Sequence, residues 1–189
     1  MKQFLKPSTQ LSPLPAVIIT ACDKEGNSNL MTAAWTGIVN STPPLCYVSI
    51  RPERFTYHMV KETMQFAINL TTTAIARATD LVGVIGGLKE DKWAKSGLTP
   101  TKASIVSCPL VEESPISLEC VVREIMPLGS HDMFLAEIVA VAVNEEIINK
   151  ETGRWELDST SLLSYSHGEY FSQGDYLGHF GFSVKKKKD

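Results

Sequence analysis

The sequence predicts a mainly β fold, a barrel of about six or more mostly antiparallel strands with helices inserted between strands. Three observations carry that expectation. Six runs rich in Val, Ile, Thr and aromatic residues are mostly five to ten residues long, which is strand rather than helix length. No repeated strand–helix–strand alternation, no internal repeat and no GxGxxG turn marks a doubly wound parallel sheet. The third is size and composition: 189 residues, 43% apolar, with mean hydropathy −0.01. A chain of this length buries roughly 70% of its unfolded surface, enough for one globular domain over residues 1–189 without disulfide staples or structural metal.

The elements follow in order. The strand runs are Ala16 to Cys22, Leu30 to Trp35, Leu45 to Ile50, Phe66 to Leu70, Ser117 to Met126 and Phe134 to Val143. Asp23 to Asn27 is polar and supplies Gly and Asn for positive φ, so the first two strands read as a hairpin. After the third strand, Phe55, Met59, Val60 and Met64 recur at helical spacing. Pro52 fits a first turn there, and Glu53 sits where the helix dipole favours an anion. Thr72 or Thr73 would cap a second helix carrying Ile75, Ala78 and Val82, ended by Gly83, and a short third piece over Lys89 to Lys95 would stop at Gly97. From Asn144 the pattern loses regularity. An aromatic tail begins near residue 160, and a basic end covers 185–189.

Charge and cysteine spacing exclude several classes. The net charge is −3, and since the last five residues are four lysines and an aspartate, the body is near −6, the wrong sign for a nucleic-acid binder. Cys22, Cys46, Cys108 and Cys120 form no CxxC pair, and the histidines at 58, 131, 167 and 179 make no HxH or HExxH spacing. The expectation is reduced core thiols, no protein-held metal and no Ser-His-Asp elbow. Neither a signal-peptide run nor the ~18 to 20 apolar residues of a membrane span is found, which predicts a cytoplasmic protein.

Two stretches carry candidate chemistry. In Ser49-Ile50-Arg51-Pro52-Glu53-Arg54-Phe55-Thr56 a strand ends and a helix begins. Unsatisfied helix N–H groups, two guanidiniums and the Ser49 and Thr56 hydroxyls would together make a phosphate site. The plainer alternative is solvated arginines and an N-cap. The second stretch, Asn29 to Gly37, sets Thr32, Ala33 and Ala34 beside Trp35, so a flat ligand could approach the backbone closely. An ordinary buried strand with a core Trp is its alternative. Gly83-Val84-Ile85-Gly86-Gly87 with Lys89 and Lys92 could cradle phosphate or simply stop a helix, and it lacks a P-loop Gly-Lys-Ser/Thr.

The order and spacing of these pieces, with Pro15 to Thr20, Pro43-Pro44, Asn69-Leu70, Ser96 to Pro100, Cys108-Pro109-Leu110 and Gly129-Ser130-His131-Asp132, resemble the flavin reductase-like family over nearly the whole chain. Within it the likeness is greatest to the flavoredoxins. The resemblance implies an FMN-binding split barrel, usually a homodimer with FMN near the subunit interface. It places Asn29 and Thr32, Ala33, Ala34 and Trp35 along the flavin ring and ribityl chain. Ser49, Ile50, Arg51, Arg54, Phe55 and Thr56 fall at the ribityl and phosphate end, with Lys89 and Lys92 edging the flavin or nicotinamide.

It also sets His131 beside the flavin or the nicotinamide; the alternative is a turn histidine held by Asp132. Reductases of two-component oxygenases commonly read Gly-Asp-His where this chain reads Gly129-Ser130-His131-Asp132. The implied function is transfer of hydride from NAD(P)H to flavin, and on to free flavin, a small acceptor or a protein partner. A flavoredoxin-type electron carrier without its own NAD(P)H activity, or a split barrel holding another phosphorylated or haem-type ligand, stands as the alternative. The aromatic tail would edge the site, wrap a partner subunit or close the core, and Lys185 to Lys188 would be a solvated run.

Overall fold

A computed structural model describes residues 1–157 and 160–184, so the terminal lysine run lies outside the described residues. The chain forms β1 (Leu14–Pro15), β2 (Val17–Cys22), β3 (Ser28–Ala33), β4 (Thr36–Ser41) and β5 (Pro44–Ile50), then α1 (Phe55–Thr63) and β6 (Gln65–Leu70). Next come α2 (Ala76–Val84), α3 (Lys92–Ser96), β7 (Pro100–Thr101), β8 (Leu110–Val111), β9 (Ile116–Pro127), β10 (Asp132–Val143), β11 (Leu163–Ser166) and β12 (Glu169–Ser172).

Seven strands make the main sheet, in the order β3-β2-β6-β9-β10-β5-β4, with every pairing antiparallel. Its two edge strands, β3 and β4, are consecutive in sequence and joined by Ala34 and Trp35 alone. A joint of two residues brings the end of β3 beside the start of β4, so the sheet curls into a barrel whose two edges meet at this joint, a seam with no ladder between them among the described residues. The Ser49 amide of β5 donates to the Trp35 carbonyl at 2.9 Å, which carries the β4–β5 ladder one residue into this joint.

The interior holds Val17, Ile19, Val48, Phe66 and Phe134, all essentially inaccessible. Ile18 and Leu30 point the other way and are covered by Val82 of α2 and by Leu98, so β2 is buried on both faces and reads as a continuous apolar run. All four cysteines are free and buried, as expected of core thiols; Cys46 and Cys120 approach to 3.6 Å between sulfurs.

Five local expectations need correction. The run ending at Trp35 splits: β3 stops at Ala33, and the chain re-enters the sheet as β4, an exposed edge strand that pairing with β5 holds in place. Helix α1 starts at Phe55, not at Pro52; Arg54 takes the N-cap position, and Glu53 pairs with Arg51 at 3.6 Å rather than meeting the helix dipole. Gly83 lies within α2 instead of ending it. A Cβ there would sit 3.1 Å from Thr32 Cβ, so glycine is what lets α2 press on β3. The third helix starts at Lys92, where the Asp91 side chain caps it, and ends at Gly97 as expected. The tail is more regular than its pattern suggests, since β11 and β12 form a hairpin that adds to β1.

Candidate functional site

The seam gathers residues from three stretches of the sequence, 33–35, 49–54 and the start of β10. The joint contributes Ala33, Ala34 and Trp35, and the end of β5 contributes Ser49, Ile50 and Arg51. Asp132 pairs with Ile50, which brings the start of β10, and with it His131, beside Arg51. Arg54 enters from the N-cap of α1. These residues line one cleft of about 380 Å³, a size typical of small-molecule sites.

Cationic groups dominate this end. Arg51 is half-exposed and its pair with Glu53 is a surface contact that holds it weakly. Arg54 donates one hydrogen bond to the Gly83 carbonyl at 2.9 Å, which ties α1 to the last turn of α2. A guanidinium carries five donors, so most of those on Arg54 remain for a ligand. No side chain caps the first turn of α1, so its amides add to the positive field.

His131 stacks at a tilt on Trp35, with ring centroids 4.6 Å apart, and its Nδ1 lies 3.0 Å from the Ser130 hydroxyl. Burial, then the charge of Arg51, holds its pKa below the usual value, which favours the neutral ring. Asp132 does not hold the histidine: its carboxylate accepts the Tyr57 hydroxyl at 2.7 Å. Trp35 is no core residue but a partly exposed wall.

Arg51 and Arg54 also border a second cavity of about 340 Å³, reached by Phe55, Thr56, Gly87 and Lys92. Lys92 is buried, and its amine donates to the Val82 carbonyl at 2.7 Å. Desolvation, and then the charge of Arg54, pushes its pKa down to about 8. Asn29 and Lys89 do not reach the main cleft. Both line a third cavity of about 550 Å³ behind Gly87. Asn29 is buried and donates to the Thr56 hydroxyl at 2.8 Å, so this pair fastens β3 to α1.

Gly87 packs directly on that pair: an added Cβ would stand 2.6 Å from Asn29 Nδ2 and 2.9 Å from its Oδ1. Gly87→Ala is therefore expected to destabilise by about 1–3 kcal/mol through overpacking. Gly86→Ala, with nothing within 4 Å of the new Cβ, should leave the thermal midpoint unchanged. Melting curves by circular dichroism compare the two.

The far side of the main cleft holds Asp80, Gly83 and Val84 of α2, which pattern reasoning missed, and Tyr165, Gly168 and Tyr170 of the β11–β12 hairpin, part of the aromatic tail for which edging the site was one expectation. For the hairpin a signal existed. His167-Gly168 has positive φ at both residues, 49° and 94°, the two-residue turn that right-handed strand twist favours, and it is flanked by alternating aromatic and polar residues. For Asp80 there was none, since it reads as an ordinary polar position on an amphipathic helix.

Among the described residues no group of His, Cys, Asp and Glu is arranged to hold a metal, and no helix is long and apolar enough to cross a membrane. Comparison with known proteins fits the barrel. The structure superposes on flavoredoxin of Desulfovibrio vulgaris (Miyazaki F) with a TM-score of 0.90 and 30% identity, covering 98% of this chain and 100% of that one. An uncharacterized protein of Aeropyrum pernix is 31% identical over 82% of this chain, which spans only 58% of that relative's length. The FMN reductase (NADH) RutF of Serratia proteamaculans is 23% identical, covering 69% of this chain and 73% of its own. The profile described as flavin reductase like domain matches residues 10–174, nearly all of the barrel and its hairpin, and the chain therefore belongs to that family.

Proposed function

We propose that the chain binds FMN in the seam cleft and works as an oxidoreductase, taking hydride from NADH or NADPH and passing electrons to free flavin, a small acceptor or a protein partner. The observation that carries this reading is the convergence of Arg51 and of Arg54, the N-cap residue of α1, on a cleft walled by Ala33, Ala34 and Trp35. Those donors suit a phosphate monoester, and a wall of Ala33, Ala34 and Trp35 suits a flat ring system. Bound FMN would supply the hydride and electron chemistry.

The side chains do the rest. Arg51 and Arg54 hold phosphate, with Ser49 as a further donor beside them. Thr32, whose hydroxyl donates to the Thr79 carbonyl, fixes the joint against α2. His131 and Trp35 shield one side of the cleft from water. Phe55, Thr56 and Lys92, with Asn29 and Lys89 behind them, set the polarity of the adjoining cavities, which extend the same site. Exposed apolar residues on β4 and β10, Ile38, Val39 and Val141 among them, support a second copy of the chain as a partner.

The likeness to a flavoredoxin over the whole chain favours one further reading, an electron carrier that receives electrons from another protein. An absorbance spectrum of the purified protein, followed by anaerobic addition of NADH and NADPH, separates the cases. Bleaching of the oxidised flavin band by a nicotinamide supports the reductase. Bleaching by dithionite alone supports the carrier. A colourless protein that FMN neither stabilises nor is quenched by overturns both.

A further inference from the structure

The two ends of the main cleft differ in chemistry. Arg51 and Arg54 make one end cationic; Asp80, Tyr165 and Tyr170 close the other. The two tyrosine rings meet edge to face with centroids 5.5 Å apart, an arrangement that leaves at least one ring face uncovered by the other. Asp80 is exposed, and among the described residues no Lys, Arg or His lies within ion-pair distance of its carboxylate. Burial, then the charge of Asp80 and a hydrogen bond to it, pushes the Tyr170 phenol up to about 12, so the phenol stays a neutral donor. A carboxylate has about four lone-pair sites, and one phenol does not saturate it. Gly83 and Gly168 on the adjoining walls bring no side chain to crowd the space.

A carboxylate set against aromatic rings is the chemistry that recognises organic cations. The ring quadrupole attracts a cation within about 6 Å of its centroid, and the carboxylate adds a Coulombic term. We infer that the hairpin end of the cleft is a separate subsite for a flat organic cation, an N-alkylated fused heteroaromatic ring of the quinolinium or phenazinium type. It rests on the proposed function only in giving the arginine end to a phosphate, which makes the cation the second reactant. Opposite charges at the two ends sort the ligands: an anionic group is repelled from Asp80, and a cationic ring is repelled from Arg51 and Arg54.

Calorimetric titration of the full chain with 1-methylquinolinium and with quinoline, which is neutral at pH 8, isolates the charge at nearly constant shape. The cation is expected to bind about tenfold more tightly. Asp80→Asn should bring the ratio close to one, and Tyr165→Leu, which keeps the carboxylate, should weaken the cation while Tyr165→Phe retains it. Equal affinity for the two probes, or a ratio unmoved by Asp80→Asn, overturns the subsite. FMN titration of the same protein, followed by flavin absorbance, reports on the other end. Absent FMN binding with the cation preference intact overturns the cofactor reading alone.

Discussion

Arg51→Ala is expected to weaken FMN binding about 10- to 100-fold, while riboflavin, which lacks the phosphate, loses less than about threefold. The asymmetry follows from where the guanidinium stands. Arg51 is at the end of β5, held only by a surface pair with Glu53, so its removal leaves no buried partner stranded and the barrel intact. What disappears is a pair of charge-assisted hydrogen bonds to an anion. Arg54→Ala should cost FMN at least as much and also some stability, because Arg54 secures the Gly83 carbonyl of α2. Fluorescence-quenching titrations with both flavins measure the effect. Equal losses for FMN and riboflavin would place the phosphate elsewhere.

The largest effect on stability is expected at Glu119. This carboxylate, in β9, is 1% exposed and accepts four hydrogen bonds: from the Ser104 amide at 2.8 Å and hydroxyl at 2.7 Å, the Ile105 amide at 2.6 Å and the Val106 amide at 2.9 Å. It thereby pins residues 103–108, whose Ala103, Val106 and Cys108 cover Cys22 and Ala67 on the outside of the sheet. Glu119→Ala leaves three backbone amides without their acceptor and should destabilise by about 3–5 kcal/mol. At this chain length that lowers the thermal midpoint by roughly 10 °C.

Glu119 also gives the expected pH dependence. Burial alone would raise its pKa, but the bonds from Ser104, Val106 and Ile105 outweigh that and hold it below the ordinary carboxylate value. The group therefore adds stability above the unfolded pKa of about 4.3, and that contribution is lost as pH falls through the folded value. Glu119→Gln should flatten this part of the acid-unfolding curve. An unchanged curve would show that another carboxylate governs it.

The barrel class was legible because its interior strands are long and strongly apolar; β2 is buried along its whole length. β4 was not, because Gly37, Asn40 and Ser41 carry little strand preference and only pairing with β5 makes them a strand. Gly83 was misread as a stop because its role, close approach to Thr32, exists only once α2 and β3 are packed. Nine of the fourteen candidate residues, Thr32, Ala33, Ala34, Trp35, Ser49, Ile50, Arg51, Arg54 and His131, share the main cleft; the motif around Arg51 drew attention to residues 49–56, and only the family resemblance joined the others to them. Asp80 escaped notice, and the aromatic tail was left with three possible roles, because the meeting of Asp80 with Tyr170 depends on where the tail hairpin lands, and no local pattern encodes that distance.

Ala34 and Trp35 form the shortest path along the chain between the two edges of the sheet, yet along the hydrogen-bonded ladder those edges are as far apart as the fold allows. A molecule seated against that joint touches both ends of the ladder at once. Its binding free energy is then added to the free energy that keeps the barrel shut, rising with ligand concentration by mass action. Occupancy of the cleft and integrity of the cylinder become one quantity, measured equally by a binding isotherm or by the heat needed to open the seam.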